Sequence, residues 1–510
     1  MHEAVPGCRM QAVIAVDIGT TSLRAILYDA AGCVLHNEQR HNPPNYFEDG
    51  RVEQDAASWM AGVVDVLRAC QLAAAICGAQ PQCLALTAQR SSLIAVDAGG
   101  VPLHPAILWQ DSRCADLAQD LAEHNALVYG KTGLKISPVF TALKMLWLQR
   151  QRPDLWARTH KLLGVQDWVL HGLTGRYATD HSLASRTNLL DLHSRQWDAE
   201  LLRLFGVPQD KLCDLVPPGA VVGGLTPAMA ALTGLPAGLP VVSAGGDQQC
   251  AALGLGLFSA RHAVANTGTG SFVIGHTEQP ALDPQMRVSC NVSAVPGAYI
   301  VEAATLTTGA AQRWLMELLG LDADDPAAHE RLSGEAATVP PGSHGLLWLP
   351  HFKGAGTPHW DAQARGTLHN LSLATTRGEL ARALLEAIAI ELKAGLDLVE
   401  ALCGAVVGVN VSGGLTRSAL FNQIQSDVLE RPLQRFASNE ATSEGAWIAG
   451  CVASGLAADH ATAFARLAER APPTCYQPTP SNAMLYRRQR ERAQAVYDAL
   501  AAPHLRALFR

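Results

Sequence analysis

Two short glycine-containing segments, each flanked by strand-like runs, set the framework for this chain of 510 residues. Each segment fits the tip of a β-hairpin, because apolar β-rich residues lead into it and out of it. The segments are GTTS at 19–22, between 12–17 and 23–28, and TGTGS at 267–271, between 263–266 and 272–275. They lie about 250 residues apart, which predicts two structurally related halves.

Strand and helix patterns alternate through both halves of the chain. The strand-like runs are 84–87, 92–96 and 406–411, and the helical runs are 56–75, 112–124, 141–151 and 378–402. Alternation of this kind predicts an α/β fold. No low-complexity tract or long linker separates the halves, so we expect two large domains that meet over a cleft.

Composition excludes several classes of function. The 39 basic and 46 acidic residues give a net charge of −7, without the basic field that phosphate-backbone binding needs, so nucleic acid is not an expected partner. The 12 cysteines contain no CxxC pair, which favours scattered thiols in a reducing compartment over a zinc site. No uninterrupted apolar stretch reaches the roughly 20 residues of a membrane span. We therefore expect a cytoplasmic protein with no membrane partner.

The two hairpin tips carry the groups that bind phosphate. Glycines allow close backbone approach, hydroxyls and amides donate hydrogen bonds, and Asp17 adds a carboxylate able to hold Mg²⁺. The candidate donors are Thr20, Thr21, Ser22, Thr267, Gly268 and Thr269. Either run alone fits a plain polar turn, but both together favour phosphate binding. Neither matches a Walker loop or a GxGxxG dinucleotide fingerprint.

Asp247 follows an apolar strand, 241–244, and a glycine pair, and it precedes a helical run at 250–257. One interpretation of an acidic residue at this place is a helix N-cap. The other is a general base that takes the proton from a substrate hydroxyl as it attacks a phosphoryl donor. The two interpretations are compatible.

Two loops after strands combine amide, guanidinium, indole and carboxylate groups. They contribute Gln89 and Arg90 from the first loop and Trp109 and Asp111 from the second. Recognition of a polyol uses such a mixture, with forked donors for hydroxyls and an aromatic face for the carbon skeleton. Surface loops and helix N-caps are the alternative, and Trp109 would also fit simple core packing.

Taken in order, these motifs resemble the FGGY family of carbohydrate kinases, within the actin-like ATPase superfamily. The resemblance runs over about residues 11–500. Its motifs are DIGTTS (17–22), QR (89–90), LWQDSR (108–113), FTALKMLWL (140–148), GGDQQ (245–249), TGTG (267–270), TTGAAQRW (307–314), SGGLTRSALFNQIQSDVL (412–429) and ATSEGAWIAG (441–450). It implies two actin-like (ribonuclease H-like) ATPase domains flanking a central cleft. The implied divisions are an extension at 1–10, a sugar-binding domain with the first phosphate loop and the catalytic base at 11–257, and a nucleotide-binding domain with a helical tail at 258–510.

The resemblance also implies residue roles, with ATP and Mg²⁺ as cofactors and a homodimer as one candidate assembly. Asp247 would be the catalytic base and Asp17 would organise the metal. The nucleotide side would comprise Asp17, Thr20, Thr21, Ser22, Thr267, Gly268, Thr269, Gly309, Arg313, Gly413, Gly414 and Ser418. The acceptor side would comprise Gln89, Arg90, Trp109, Asp111, Asp247, Gln248 and Phe272. Arg313 and Ser418 stand where glycerol kinases carry Gln and Asn.

The acceptor expected from the resemblance is a ketopentose, with xylulose converted to xylulose 5-phosphate as in xylose metabolism. Glycerol kinases carry an acidic residue and a tyrosine where this chain has Ser91 and Val139, and their loss leaves glycerol hydroxyls unpaired. The PAILWQDSR run is similar to xylulokinases, although these usually have Met-His at positions 89–90 and Asn at 248. The alternatives are ribulose, glycerol or an autoinducer-type substrate, or a non-catalytic nucleotide-gated binding protein on the same scaffold.

Overall fold

A computed structural model describes residues 10–438 and 440–509 of the chain. Its framework is two mixed sheets, each with helices packed on its faces. The predicted extension at 1–10 lies outside the described residues except for Met10, which begins the first strand.

The first sheet contains six strands. They are β1 (Met10–Ile18), β2 (Ser22–Asp29), β3 (Val34–His41), β4 (Ala79–Ala88), β5 (Ala220–Gly224) and β6 (Pro240–Gly246). Their spatial order is β5-β6-β4-β1-β2-β3. β1 pairs antiparallel with β2 and parallel with β4, and β4 pairs parallel with β6.

The second sheet contains seven strands. They are β7 (His262–Thr267), β8 (Ser271–Thr277), β9 (Ser289–Val292), β10 (Tyr299–Thr305), β11 (Gly408–Ser412), β12 (Leu433–Arg435) and β13 (Thr474–Tyr476). Their spatial order is β9-β10-β8-β7-β11-β12-β13. β7 pairs antiparallel with β8 and parallel with β11, and β11 pairs parallel with β12.

The same five-stranded core therefore occurs twice. In each sheet, three antiparallel strands (β3-β2-β1 and β10-β8-β7) are continued by two parallel ones (β4-β6 and β11-β12). The predicted hairpins are β1-β2 and β7-β8, and their tips occupy equivalent places in the two sheets. The prediction of two related halves is confirmed.

The longer helices lie between and beside these strands. They are α1 (Ala56–Cys77), α2 (Asn125–Thr132), α3 (Thr141–Gln151), α4 (Val165–Thr174), α5 (Asp247–Gly254), α6 (Gly309–Leu318), α7 (Pro326–Thr338), α8 (Arg377–Cys403), α9 (Ala419–Leu429), α10 (Ala441–Ala453), α11 (His460–Arg470) and α12 (Pro480–Ala501). The predicted helix at 112–124 is shorter, because only Ala115–Asp120 is α-helical and Ala122–His124 forms a 3₁₀ turn.

Shorter elements complete the connections. The short helices are Pro153–Arg158, His181–Ala184, Ala199–Phe205, Pro227–Thr233 and Pro503–Arg506, and the 3₁₀ turns include Gln209–Lys211, Ser343–Gly345, Gly414–Arg417 and Ala507–Phe509. The short strands are Asn45–Tyr46, Val52–Gln54, Ile94–Val96, Ala106–Ile107, Lys161–Leu163, Ala178–Asp180, Leu190–Asp191, Gln196–Trp197, Asp214–Val216, Leu347–Leu349 and Thr367–His369.

Each sheet buries one face under a long helix. α1 covers one face of the first sheet through Trp59, Val63 and Leu67, and α8 covers one face of the second. The capping box of Thr376 and Glu379 at the start of α8 satisfies backbone donors that the first helical turn leaves unpaired. In the described part of the chain, α1 is also the one helix whose length and mean hydropathy of 1.6 would suffice to cross a membrane.

The other face of the first sheet is covered from the second half of the chain. α10 packs on β1, β4 and β6 and crosses α5, with Trp447 fully buried in this layer. The indole N–H of Trp447 donates to the Asp29 carbonyl, 3.1 Å away. The two halves are thus joined through α10, whose position in the chain gave no indication of this contact.

Candidate active site

The tip of the first hairpin brings residues of three separate segments together. The Thr20 hydroxyl donates to Gln89 Oε1 at 3.3 Å, and the Trp109 indole N–H donates to Thr20 Oγ1 at 3.1 Å. Trp109 remains 39% exposed, so its ring faces solvent rather than the core. The simple core-packing interpretation of Trp109 is wrong, and the structure joins the first phosphate loop to the predicted acceptor loops.

The tip of the second hairpin is built from closely packed backbone. The amides of Thr308 and Gly309 donate to the carbonyls of Thr269 and Gly268 at 3.0 Å. A Cβ on Gly309 would stand 2.5 Å from the Gly268 carbonyl oxygen, so no other residue fits there without movement. Gly413, with φ of +99°, packs as closely against the backbone of Thr267. These glycines allow three loops to form one cradle.

A cavity of about 840 Å³ opens beside this cradle. Its walls include the predicted nucleotide residues Thr267, Gly268, Thr269, Gly309, Arg313, Gly414 and Ser418. Arg313 is half exposed and pairs with Asp324 at 2.5 Å, and Ser418 caps α9 and lies 3.0 Å from the Ser333 hydroxyl. The size and the donor set fit a nucleotide.

Asp247 is the first residue of α5, directly after β6. Its Oδ1 accepts from the Gln248 amide at 2.7 Å and lies 3.4 Å from Arg90 Nε, while 28% of the side chain stays exposed. Gly246 occupies the N-cap position, so an N-cap role alone does not explain Asp247. Burial raises the pKa of this carboxyl and the Arg90 guanidinium opposes the shift.

Asp17 lies near the end of β1, where its side chain is 13% exposed. Burial raises its pKa to about 7; the Arg24 guanidinium, 3.7 Å away, opposes this shift, and Asp247 and Glu440 add to it. A buried carboxylate with one cation at 3.7 Å and two acidic neighbours is stabilised by a divalent cation. The donor set at Asp17 therefore fits Mg²⁺.

The remaining predicted acceptor residues differ in what they offer. Asp111 is buried, and its carboxylate accepts hydrogen bonds from Arg113 at 2.7 Å and from the Val52 amide at 2.6 Å. This arrangement favours a structural role for Asp111 over the predicted substrate contact, because both oxygens already accept strong hydrogen bonds. Gln248 Oε1 is buried without a partner among the described residues, and Phe272 packs in the apolar cluster between α5 and the second sheet.

Two family models match most of the chain. Residues 12–254 match the N-terminal domain, and residues 263–454 match the C-terminal domain, of the FGGY family of carbohydrate kinases. The chain belongs to this family.

Relatives within the FGGY family carry different substrate names. The chain is 36% identical to glycerol kinase from Alkalilimnicola ehrlichii over 467 residues, which cover 88% of this chain and 91% of that protein. The structure of xylulose kinase from Rhodospirillum rubrum aligns with a TM-score of 0.89 at 30% identity, covering 96% of this chain and 99% of that one. Glycerol kinase from Plasmodium falciparum with ADP aligns equally well, at 0.89 over 97% and 99%, but at 22% identity it shows the fold alone.

These likenesses confirm the predicted architecture of two actin-like ATPase domains around a cleft. They do not separate a xylulose kinase from a glycerol kinase, so the xylulokinase branch inferred from PAILWQDSR remains a hypothesis. The domain limits at 257 and 258 and the individual site residues also remain predictions.

Sequence reasoning missed three polar residues beside Asp247 in this FGGY kinase. Glu302 in β10, Arg186 after the short helix at 181–184, and Asn291 in β9 form a buried cluster with Arg90. A signal existed for Glu302, because it is the one charged residue in the run YIVEAAT, and a charge in an apolar strand has to be paired. No such local signal marks Arg186.

The Gly413 cradle gives a testable prediction. Gly413→Ala should weaken ATP binding about tenfold or more, because the added Cβ overlaps the Thr267 backbone and the loops must separate. Isothermal titration with ATP measures the effect. Gly404→Ala is the matched control, since Gly404 has a similar φ of +92° with open space around it. Equal ATP affinity in the two variants would contradict the cradle.

Proposed function

We propose that this FGGY kinase transfers the γ-phosphoryl group of ATP to a sugar or polyol hydroxyl, with Asp247 as general base. The observation that carries the proposal is the placement of Asp247 at the start of α5, beside Arg90 and close enough to Asp17 of the first phosphate motif that its charge raises the pKa of Asp17. Phosphoryl transfer needs positioning and charge neutralisation more than covalent chemistry, and this arrangement supplies both.

On the acceptor side, Asp247 takes the proton from the attacking hydroxyl. Burial raises the pKa of Asp247, which makes the carboxylate a stronger base than an exposed aspartate, and the Arg90 guanidinium opposes that rise. Arg90 and Gln89 then hold the neighbouring hydroxyls, and the exposed Trp109 ring covers the carbon skeleton.

On the nucleotide side, the hydroxyls and amides of the two tips hold the phosphates. Gly309, Gly413 and Gly414 bring backbone close to the nucleotide, and the cavity wall at Arg313 and Ser418 accommodates its base and ribose. Asp17 would hold Mg²⁺, which when bound neutralises phosphate charge. Closure of the two domains would exclude water from the cleft.

For the acceptor we propose xylulose, with glycerol as the second candidate. Ser91 and Val139 have neither the acidic nor the phenolic side chain expected for glycerol. The Ser91 hydroxyl is also used within the protein, where it donates to the Arg186 carbonyl at 3.4 Å. The Val139 carbonyl accepts from Lys144 at 2.6 Å. The likeness to the xylulose kinase of Rhodospirillum rubrum supports this choice. The 36% identity to a glycerol kinase favours the second candidate.

An ADP-release assay across xylulose, ribulose, glycerol and erythritol tests the acceptor. We expect the highest kcat/KM with xylulose. The double variant Ser91→Glu, Val139→Tyr should raise the glycerol-to-xylulose ratio of kcat/KM by about tenfold or more, because it restores two polar partners for glycerol hydroxyls. A wild-type enzyme that is fastest with glycerol by a wide margin would overturn the xylulose proposal and leave the kinase proposal intact.

A further inference from the structure

Glu302 is a buried carboxylate at the boundary between the two halves. It lies in β10 of the second sheet, and its side chain is only 4% exposed. Burial of an unpaired carboxylate is strongly unfavourable, so the buried position of Glu302 depends on its partners. Its charged partners are two arginines from the first half of the chain.

Arg90 and Arg186 reach Glu302 from different elements. Arg90 Nη1 lies 3.4 Å from Glu302 Oε1, and Arg186 Nη1 lies 3.4 Å from Oε2. Asn291 Nδ2 donates to the same Oε2 at 2.8 Å, and Asn291 Oδ1 accepts from Arg186 Nη1 at 3.0 Å. The side chains of the two arginines are about 10% exposed each, and the Glu302 carboxylate contacts both of them inside the protein.

The cluster continues to the base. Arg90 Nε lies 3.4 Å from Asp247 Oδ1, so one guanidinium bridges Glu302 of the second half and Asp247 of the first. Arg186 Nε is buried without a partner among the described residues, which leaves a donor for an oxygen of the acceptor. The charged groups that act on Asp247 are therefore Arg90, Arg186, Glu302 and, from β1, Asp17.

We propose that Glu302 is a positioning residue that holds Arg90 and Arg186 in the geometry required to orient the acceptor against Asp247. The kinase role rests on the proposed function above. Glu302 belongs to the half of the chain that carries the nucleotide cavity, whereas Asp247 and both arginines belong to the other half. Alignment of the acceptor thus depends on docking of the two halves.

Chemical modification tests the positioning without relying on activity. Phenylglyoxal reacts with accessible guanidinium groups, and peptide mapping by mass spectrometry reports the rate at each arginine. In Glu302→Gln we expect Arg90 and Arg186 to react about tenfold faster than in the wild type, because the neutral amide no longer holds two cations. Unchanged protection of both arginines would overturn the proposal.

Glu386→Gln provides the matched control. Glu386 lies in α8, is equally buried and pairs with Arg382 at 2.9 Å, outside the cleft. This variant should expose Arg382 and lower thermal stability while leaving Arg90 and Arg186 protected. Faster modification of Arg90 and Arg186 in Glu386→Gln as well would show a global effect and would also count against the proposal.

Kinetics tests the consequence for catalysis. Glu302→Gln should lower kcat/KM for the acceptor about 100-fold with the KM for ATP within about twofold, and Glu302→Asp should recover part of the loss. If Arg90 and Arg186 react faster with phenylglyoxal in Glu302→Gln but kcat/KM for the acceptor is unchanged, the role of Glu302 in catalysis is overturned. If the wild type phosphorylates no polyol, the proposed function fails, and the modification rates still decide whether Glu302 positions the two arginines.

Discussion

Asp247→Asn is expected to lower kcat for sugar phosphorylation about a thousandfold while ATP still binds. The amide has nearly the same shape as the carboxylate, but it cannot take a proton from the acceptor hydroxyl, and a general base typically contributes 10²–10⁴-fold. The neighbouring contacts stay available, since Arg90 and the Gln248 amide can both donate to an amide oxygen. The coupled release of ADP at saturating acceptor measures kcat, and titration calorimetry measures ATP affinity.

The pH dependence gives an independent readout of the same base. In the wild type, kcat/KM should fall as pH decreases through the pKa of Asp247, because the protonated carboxyl cannot accept a proton. Burial raises this pKa, so the acidic limb should lie above the ordinary value of about 3.9. In Asp247→Asn, the decrease of kcat/KM that is due to protonation of Asp247 should disappear.

Asp198→Asn is the control for Asp247→Asn. Asp198 is also an acidic residue at a helix start, where it caps Ala199–Phe205 and pairs with Lys131 at 2.7 Å. The Asp198→Asn variant should lose stability without a comparable change in kcat. Undiminished phosphorylation by Asp247→Asn would show that another group acts as the base.

Gly445→Ala is expected to destabilise the fold by about 3 kcal/mol and to reduce activity further in the fraction that folds. Gly445 in α10 meets Cys250 in α5 so closely that an added Cβ would lie 2.5 Å from the Cys250 carbonyl carbon and 2.9 Å from its Cα. Backbone cannot move aside as a flexible side chain can, so the two helices must separate, and overpacking of this kind costs about 1–3 kcal/mol or more. Separation also displaces α5, which carries Asp247, and a shift of about 1 Å can cost 10²-fold in rate.

Chemical denaturation measures the loss of stability, and kcat normalised to folded protein measures the displacement of Asp247. Gly130→Ala is the matched control, because Gly130 also lies within a helix but has open space around the added Cβ. There the higher helix propensity of alanine should stabilise by up to about 1 kcal/mol. Equal stability of the two variants would show that the α5-α10 crossing tolerates a side chain.

Several parts of the structure were predictable because their signals are local. The strand-tip-strand runs around 19–22 and 267–271 became the hairpins β1-β2 and β7-β8, since apolar β-rich runs on both sides of turn residues specify a hairpin locally. The predicted helix at 141–151 has the bounds of α3, and the run 378–402 lies within α8. The family motifs then indicated which of these loops bind ligands.

Other parts depended on contacts between segments far apart in the chain. Asp111 has the residue type of a ligand contact, but it is occupied by Arg113 and the Val52 amide, which only the folded loops bring together. Glu302 and Arg186 are 116 residues apart and meet only when the halves dock. Likewise, nothing local in ATSEGAWIAG indicates that α10 covers the first sheet.

Local pattern and residue chemistry thus established a repeated α/β framework, two phosphate loops and a candidate base at Asp247. The three-dimensional arrangement decided which polar groups face that base and how the halves are joined. The physical reason is that hairpins and helix ends are specified by neighbouring residues, whereas the pairing of buried charges and the crossing of helices depend on surfaces that exist only after folding. The Arg90, Arg186 and Glu302 cluster and the Gly445 crossing belong to this second class.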